Sequence, residues 1–351
     1  MTIKVFVVDD SAVVRQAMQQ ILQGDASVTL VGSAPNPLIA APLIRKQQPD
    51  VLLLDIEMPG MDGLTFLRQQ MAEKPIPTVI CSTLTESGSK MALEAMAAGA
   101  VAVVPKPRVG LKEFMEASRQ ELLQALKGAA RSRPQVGSST ARPAASKSVP
   151  PAAAAGLHAL AINKPVVIGS STGGTQAIEE VLANLPADSP GIAIVQHMPP
   201  NFTAQYAQRL DAFCAITVRE AKDGDRLQRG VALIAPGGLH MRLRKASGQY
   251  FVEVFDGPPV NRHKPSVDVL FQSASECAGR DALALILTGM GNDGARGMKL
   301  MHDLGACCVA QDEASCVVFG MPMEAIKLGA ADEVLPLQQM ARRIQQFDQR
   351  G

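Results

Sequence analysis

The sequence predicts an α/β protein built from two doubly wound parallel-sheet domains joined by a flexible linker, and three observations support this prediction. A chain of 351 residues exceeds what one hydrophobic core usually organises. Short β-branched runs alternate with helical patterns on both sides of an irregular segment. These runs are mostly apolar throughout, as expected for strands buried on both faces of a parallel sheet. We therefore expect domains at residues 1–127 and 165–347, with a linker at 128–164.

In the first domain, five strand-like runs are each followed by a helical pattern. The runs are, in order, IKVFVV, VTLVGS, VLLLD, TVIC and VAVV. The helical patterns begin near Ser11, Pro37, Leu64, Ser87 and Leu111. In a sheet of this kind, ligands bind beyond the carboxyl ends of the strands, so the residues at those ends are the candidates for function.

The linker and the second domain differ in composition. Residues 128–164 are mainly Ala, Pro, Ser and Arg without periodicity, and such a segment buries too little apolar area to offset its ordering entropy. After it, six runs predict the strands of a second sheet: PVVIGS, GIAIVQH, GVALIAP, YFVEVF, ALALILTG and CCVAQ.

The composition argues against several classes of function. Lys and Arg number 34 against 33 Asp and Glu, a net charge of +1 that gives no electrostatic attraction for nucleic acid or an anionic membrane. Trp is absent and aromatic residues make up 3%, so no base-stacking surface is expected. The six Cys lack metal-ligand spacing and indicate a reducing compartment. Neither a signal peptide nor a membrane-spanning run is evident, and we expect a cytoplasmic protein.

Charged side chains follow three strands of the first predicted sheet. Asp9 and Asp10 follow the first strand, Asp55 ends the third, and Lys106 follows the fifth. One such Asp alone is more often a helix cap or a loop residue. Three carboxylates at one edge repel one another unless a cation lies among them, and Mg²⁺ prefers such oxygen ligands. The fourth strand adds the hydroxyl of Ser82 at this predicted magnesium site.

This domain resembles the receiver domain of two-component response regulators, which has a flavodoxin-like fold. The stretch DIEMPGMDG after the third strand is also typical of that family. The resemblance implies that Asp55 accepts a phosphoryl group and binds Mg²⁺ together with Asp10. It further implies that Ser82 is the switch hydroxyl and that Lys106 belongs to the acidic pocket. Val103 stands where many receivers have an aromatic switch residue, so aromatic gating is not expected.

The second domain begins with a strand, a Gly-rich turn and an amphipathic helix. The turn reads Gly169-x-Ser171-x-Gly173, in which small neighbours allow a sharp bend that exposes a nucleophilic hydroxyl. Two other interpretations remain open, a simple helix cap and a dinucleotide phosphate loop. The phosphate loop calls for an acid at the end of the next strand, where this chain has Gln196 and His197 instead.

A serine nucleophile needs a base, and the chain has five His. His197 ends the strand after the one that leads to the nucleophile, and neighbouring parallel strands lie only about 5 Å apart. His158 lies in the predicted linker and His302 in a helical pattern. His240 and His263 are predicted in loops, where they bind substrate or are simply surface residues. We therefore select His197 as the base.

The orienting acid is expected at a strand end on the same edge. Asp293 follows a buried strand and a Gly-rich turn, and Asp312, after the next strand, is its main competitor. Asp293 could equally be a helix N-cap. Thr172 and Met290 are our candidates for stabilising or supporting an oxyanion, through the N–H groups of these turns.

The second domain also resembles the Rossmann-like catalytic domain of the chemotaxis protein-glutamate methylesterases, the CheB family. Six motifs occur in the family's order: IGSSTGGT, VQHMP, APGGLH, HKPSVDVLF, LTGMGNDGA and QDEASCVVFGMP. The resemblance implies a triad of Ser171, His197 and Asp293 that needs no metal. It implies hydrolysis of glutamate methyl esters on chemoreceptors, deamidation of certain receptor glutamines, and activation by a chemotaxis histidine kinase. It also implies contact with membranes only through those receptors.

Two alternatives of another class remain at this stage. The second domain could bind a partner or nucleotide without catalysis, but such a module has no reason to keep three catalytic residue types at strand ends. A DNA-binding output is disfavoured, since the second half has neither a basic patch nor a recognition-helix pattern. A receiver ahead of a triad further predicts that the unphosphorylated receiver inhibits the esterase and that phosphorylation relieves this inhibition.

Overall fold

The structure is a computed structural model that describes residues 2–83, 85–106, 112–132 and 164–349. The chain divides into two compact units, Met1–Ser139 and Thr140–Gly351. The predicted linker begins at residue 128, whereas a helix continues to Arg131. Most of the rest of that segment, His158 included, lies outside the described residues, so the predicted domain limits stay predictions.

The first unit alternates five strands with five helices. The strands are β1 Ile3–Val8, β2 Val28–Ala34, β3 Val51–Asp55, β4 Thr78–Ser82 and β5 Ala102–Pro105. The helices are α1 Ala12–Gln23, α2 Pro37–Gln47, α3 Gly63–Glu73, α4 Glu86–Ala97 and α5 Lys112–Arg131. All pairings are parallel in the order β2-β1-β3-β4-β5, which confirms the predicted doubly wound sheet.

Local side chains explain where these helices begin. The Ser11 hydroxyl accepts a hydrogen bond from the N–H of Val14, and Asp62 accepts one from Thr65, at the starts of α1 and α3. Both satisfy N–H groups that have no partner inside the helix. Every residue of the central strand β3 is buried, so its end, Asp55, is held at the sheet edge by packing on both faces.

The second unit has nine strands and six α-helices among the described residues. The strands are β6 Val166–Ser170, β7 Ile192–Gln196, β8 Thr217–Glu220, β9 Val231–Ile234, β10 His240–Ala246, β11 Gln249–Phe255, β12 Leu283–Ile286, β13 Cys307–Gln311 and β14 Glu333–Leu335. The helices are α6 Gly174–Ala183, α7 Phe202–Asp211, α8 Val267–Cys277, α9 Ala295–Asp303, α10 Met321–Lys327 and α11 Leu337–Gln349. Seven strands form a parallel sheet in the order β14-β13-β12-β6-β7-β9-β8.

One predicted strand of the second unit does not belong to the parallel sheet. The run YFVEVF was expected in the parallel sheet, but it belongs to β11, which pairs antiparallel with β10 in a separate two-stranded sheet. The two-residue connection through Ser247 and Gly248, both at positive φ, turns the chain back directly and so favours a hairpin over a crossover. His240 is therefore a buried residue of β10 rather than a loop residue.

The strand order decides which loops meet. The chain leaves β6 toward β7 on one side, while β12 pairs with β6 on the other side. All residues of these three strands are buried, so their carboxyl ends form one rigid edge. The loops after β6, β7 and β12 therefore converge at the position where open α/β sheets bind ligands. No described helix is both long and apolar enough to cross a bilayer.

Candidate functional site

The three predicted catalytic residues lie at the ends of the three adjacent strands of the second unit. Ser171 follows β6, His197 follows β7, and Asp293 lies in the turn after β12. The N–H of His197 donates to the carbonyl oxygen of Ser170 at 3.1 Å, and the N–H of Ser171 donates to Thr288 at 3.0 Å. These backbone bonds tie the three turns to one another.

The predicted base and the predicted acid are in direct contact. His197 Nε2 lies 2.8 Å from Asp293 Oδ2, and both side chains are buried. An ionised carboxylate only accepts hydrogen bonds, so Nε2 carries the proton and Nδ1 of the neutral ring holds the lone pair. Nδ1 is buried and has no hydrogen-bond partner among the described residues. The geometry thus leaves one ring nitrogen of His197 available as a base.

Asp293 is held in its ionised form by several donors. Its oxygens accept hydrogen bonds from Ser266 Oγ at 2.8 Å and from the N–H groups of Val267 at 2.7 Å and Asp268 at 3.2 Å. These N–H groups belong to the first turn of α8, so Asp293 caps that helix and not its own, α9. Burial alone raises the pKa of Asp293, but the hydrogen bonds, led by that from His197, outweigh it and lower the pKa well below its usual range.

The turn after β12 closely approaches Ser171, the predicted nucleophile. A Cβ on Gly289 would lie 2.8 Å from the Cβ of Ser171, so only glycine allows the two turns to come this close. Beside them, the N–H groups of Thr172 and Met290 have no acceptor among the described residues. The N–H of Ser171 is used by Thr288, whereas the N–H groups of Thr172 and Met290, the predicted oxyanion donors, are not occupied in this way.

The competing candidates lie elsewhere. Asp312 accepts hydrogen bonds from the N–H of Ser315 at 3.0 Å and from its hydroxyl at 2.5 Å, and makes no contact with His197. His302, in α9, lies 3.5 Å from Asp303 and 3.4 Å from Asp332. Asp312 is thus held by its own turn, and His302 lies in partly exposed contacts with acidic residues, which explains both residues without a role in catalysis.

Sequence reasoning did not assign a role to Gln196. Its Nε2 donates to the carbonyl oxygens of Ser171 at 2.9 Å and His197 at 3.1 Å, and its Oε1 accepts from Ser170 Oγ at 2.7 Å. A Cβ at Gly174 would overlap Oε1, so the glycine makes room for the amide. A polar residue as the last member of an otherwise apolar strand was the available signal, but its partners depend on tertiary contacts.

The sequence predicts His263 in a loop, as a substrate-binding or a surface residue, and the structure brings it to His197, the predicted base. Its ring stacks on that of His197, with centroids 3.7 Å apart and planes inclined by 10°. Burial, followed by the neighbouring His197, lowers the pKa of His263 to about 3, so its ring is neutral at physiological pH.

In the first unit, the charged residues predicted at the carboxyl ends of the strands lie close together. One carboxylate oxygen from each of Asp9, Asp10 and Asp55 lies within 4.8 Å of the others. Lys106 Nζ donates to Asp55 Oδ2 at 2.7 Å and lies 3.4 Å from Asp9 Oδ2, an ion-pair contact without hydrogen-bond geometry. Burial raises the pKa of Asp55 to about 6 and also raises that of Asp9, against the opposing effect of Lys106.

The hydroxyl of Ser82, the predicted switch residue, is held by a backbone carbonyl group. Ser82, fully buried at the end of β4, donates to the carbonyl oxygen of Gly88 at 3.1 Å, near the start of α4. Its carbonyl oxygen accepts from the N–H of Lys106 at 2.9 Å. Ser82 therefore connects the end of β4, the start of α4 and the residue after β5.

Two parallel sheets, one with an acidic cluster and one with Ser, His and Asp at its carboxyl edge, define a response regulator with an enzymatic output domain. The response regulator receiver domain model matches residues 5–119, and the CheB methylesterase model matches residues 166–344. The chain belongs to the CheB methylesterase family and is an enzyme.

Relatives over the full length support this membership. The chain is 54% identical to a protein-glutamate methylesterase/protein-glutamine glutaminase of Dechloromonas aromatica, over 96% of each chain. It is 53% identical to one of Xanthomonas oryzae pv. oryzae, over 96% of this chain and 98% of that one. The crystal structure of the Thermotoga maritima CheB methylesterase catalytic domain is 41% identical, with a TM-score of 0.51, and covers 52% of this chain and 96% of that one.

Proposed function

We propose that the protein is a phosphorylation-activated chemotaxis enzyme that hydrolyses glutamate methyl esters on chemoreceptors and deamidates certain receptor glutamines. The observation that carries the proposal is the 2.8 Å contact between His197 Nε2 and Asp293 Oδ2, which leaves Nδ1 as a buried base at the strand edge of Ser171. The names of the full-length relatives supply the substrate class.

In this mechanism Ser171 attacks the ester carbonyl while His197 Nδ1 takes its proton. The resulting imidazolium is stabilised by Asp293, whose lowered pKa keeps it ionised. The N–H groups of Thr172 and Met290 stabilise the tetrahedral oxyanion. His197 returns the proton to the leaving methanol, and water then hydrolyses the acyl-enzyme. With a glutamine substrate the same groups release ammonia.

The acidic cluster of the first unit fits a divalent cation. Asp9 Oδ2 is buried without a hydrogen bond among the described residues, and three carboxylate oxygens gather around one point. Asp10 and Asp55 would hold Mg²⁺ with Asp9 nearby, and the bound ion would neutralise charge on an incoming phosphoryl group. Asp55 is the proposed phosphoacceptor, the chemotaxis histidine kinase the phosphodonor, and Lys106 the partner of the phosphorylated group.

The esterase proposal is tested by measuring methanol release from methylated chemoreceptor membranes. The wild-type chain releases methanol at a rate that rises with a small phosphodonor, while Ser171→Ala releases none above background. Ser170→Ala is the matched control, because the neighbouring hydroxyl is fully buried and donates to Gln196. Full activity of the Ser171→Ala variant would reject the proposed nucleophile.

The receiver proposal is tested by phosphorylation with a labelled small phosphodonor. Labelling of the wild-type chain requires Mg²⁺, because a cation offsets the repulsion among the carboxylates of Asp9, Asp10 and Asp55. Asp55→Asn takes up no label. Asp50→Asn, at an exposed position before β3, serves as the control and is labelled normally. Undiminished labelling of Asp55→Asn would contradict the assignment.

A further inference from the structure

A single tight turn delivers two side chains to the base and the acid of the proposed triad. The N–H of Val260 donates to the carbonyl oxygen of His263 at 3.0 Å, and the reverse bond is 2.9 Å. The two central residues, Asn261 and Arg262, have φ values of 50° and 71°. Two positive φ values define a two-residue turn, a conformation that suits Asn and is uncommon for Arg.

The first central residue of this turn holds the acid. Asn261 Nδ2 donates to Asp293 Oδ1 at 2.8 Å and to Asp268 Oδ2 at 2.6 Å, so one amide uses both of its N–H bonds on two carboxylates. Asp268 is anchored in turn, since its Oδ1 accepts the N–H of Gly297 in α9 at 2.7 Å. Asn261 thus connects Asp293 to α8 through Asp268, and Asp268 in turn connects to α9.

The last residue of the turn covers the base. The His263 ring lies flat on that of His197, with centroids 3.7 Å apart, and its neutral state adds no charge that would repel an imidazolium. Rotation of the His197 ring about its Cβ–Cγ bond would require the stack to separate. The stack therefore opposes rotation of the ring out of the plane in which Nε2 contacts Asp293 and Nδ1 is free.

We propose that the turn Val260–His263 is a positioning element of the catalytic site, in which Asn261 orients Asp293 and His263 orients His197 by stacking on it. This inference rests on the proposed roles of His197 and Asp293. Neither Asn261 nor His263 exchanges a proton with the substrate. What His263 supplies is a flat face, so another flat ring can replace it.

The test compares two replacements of similar size in the full-length protein. His263→Phe keeps a planar ring, and we expect its kcat for methanol release to stay within about 3-fold of wild type. His263→Leu fills similar space without a flat face, and we expect kcat to fall about 10- to 100-fold with KM within about 2-fold, as for a misplaced reacting group. Asn261→Asp, which replaces the donor with a third carboxylate, should lower kcat similarly.

His240 provides the matched control, because it is another buried His of the same unit that contacts Pro258 O at 3.0 Å and not the triad. His240→Leu should lower the unfolding midpoint without the fall in kcat. If His263→Phe is as slow as His263→Leu, or if both are as fast as wild type, the positioning role is wrong. A rise in KM alone would make His263 a substrate-binding residue instead.

The outcomes also separate this inference from the proposed function. If His197→Ala keeps full activity, the triad itself is wrong. If His197→Ala is inactive while His263→Leu and Asn261→Asp match wild type, only the positioning role fails. Should His263→Leu not fold, the Asn261→Asp variant measures the same turn from its other end.

Discussion

At the residue scale, the catalytic edge combines buried polar groups that satisfy one another. Asp293 receives hydrogen bonds from five different residues, one of which is the imidazole of His197. A buried carboxylate without such donors would be protonated instead. The hydrogen bonds that keep Asp293 ionised also hold its carboxylate in one orientation. The same set of donors therefore sets both the charge and the orientation of this side chain.

Ser171 and His197 are expected to act as one unit. Ser171→Ala and His197→Ala should each lower kcat/KM for methanol release by about 10³-fold or more, because nucleophile and base are useful only together. The double variant should be little slower than either single variant. A multiplicative loss in the double variant would show that the two residues act independently.

Asp293→Asn should remain folded but lose about 10³-fold in kcat, because the amide no longer stabilises an imidazolium. Its free energy of unfolding in urea at pH 7 should fall by about 1–3 kcal/mol through lost charged hydrogen bonds. The pKa of Asp293 is lowered from 3.8, so this contribution is present above pH 3.8 and is lost as the pH falls further. The difference from wild type should therefore shrink in acid.

Asp312→Asn is the control for this prediction. The carboxylate of Asp312 accepts hydrogen bonds from Ser315 in its own turn, so the variant should keep wild-type kcat. The opposite result, a fully active Asp293→Asn beside an inactive Asp312→Asn, would transfer the orienting role to Asp312.

At the element scale, Glu253 of the β10–β11 hairpin forms cross-strand ion pairs with two arginines. Glu253 lies directly opposite Arg242 and accepts from its Nε at 2.8 Å and from Arg244 Nε at 2.9 Å. These hydrogen bonds, that from Arg242 first, lower the pKa of Glu253 from 4.5 to about 2. The hairpin is a separate two-stranded sheet, so each strand has only one neighbouring strand. Cross-strand side-chain pairs such as these therefore help to set which residues of β10 and β11 lie opposite each other.

Glu253→Gln should lower the free energy of unfolding by about 0.2–1 kcal/mol at pH 7 and low salt, since the pair is partly exposed. The contribution is fully present above pH 4.5 and is lost as the pH falls through about 2. Urea unfolding of both proteins at several pH values measures it. A difference that survives in high salt and in acid would indicate lost packing rather than lost charge.

Several elements were predictable from local pattern, and others were not. The parallel strands that carry the site are apolar runs that end in polar residues, which locates Ser171, His197 and Asp55 without a structure. The hairpin strand β11 is also a mostly apolar run, interrupted by Glu253, but its sequence does not identify β10 as its antiparallel partner. Its neighbour β10, rich in Arg and Lys, was not predicted as a strand at all.

At the scale of the whole molecule, the receiver and the esterase are two units on one chain, and phosphorylation is the proposed link between them. A coupling free energy of about 1–3 kcal/mol corresponds to roughly 5- to 150-fold activation. The Ala/Pro/Ser-rich segment after α5 has no pattern that would transmit a stimulatory signal. Relief of inhibition is therefore the mechanism we expect.

Deleting residues 1 to about 140 should give a fragment that releases methanol faster than the unphosphorylated full-length protein and does not respond to a phosphodonor. The catalytic domain of the Thermotoga maritima relative, which matches this part of the chain, is itself the subject of a crystal structure. The comparison is made at equal enzyme concentration on the same receptor membranes. A fragment as slow as the unphosphorylated protein would instead make the receiver an activator.

The sequence by itself determined the order of the two units, the parallel-sheet class and the polar residues at strand ends, because each of these follows from local hydrophobic pattern and short motifs. Only the tertiary structure decided which strand ends are neighbours. The order β12-β6-β7 brings Asp293 to His197 across 96 residues of chain. Only the tertiary structure also decided that Asp293 caps α8 and that His263 stacks on His197. These contacts join residues far apart in the chain, and no local sequence pattern predicts which distant segments will meet.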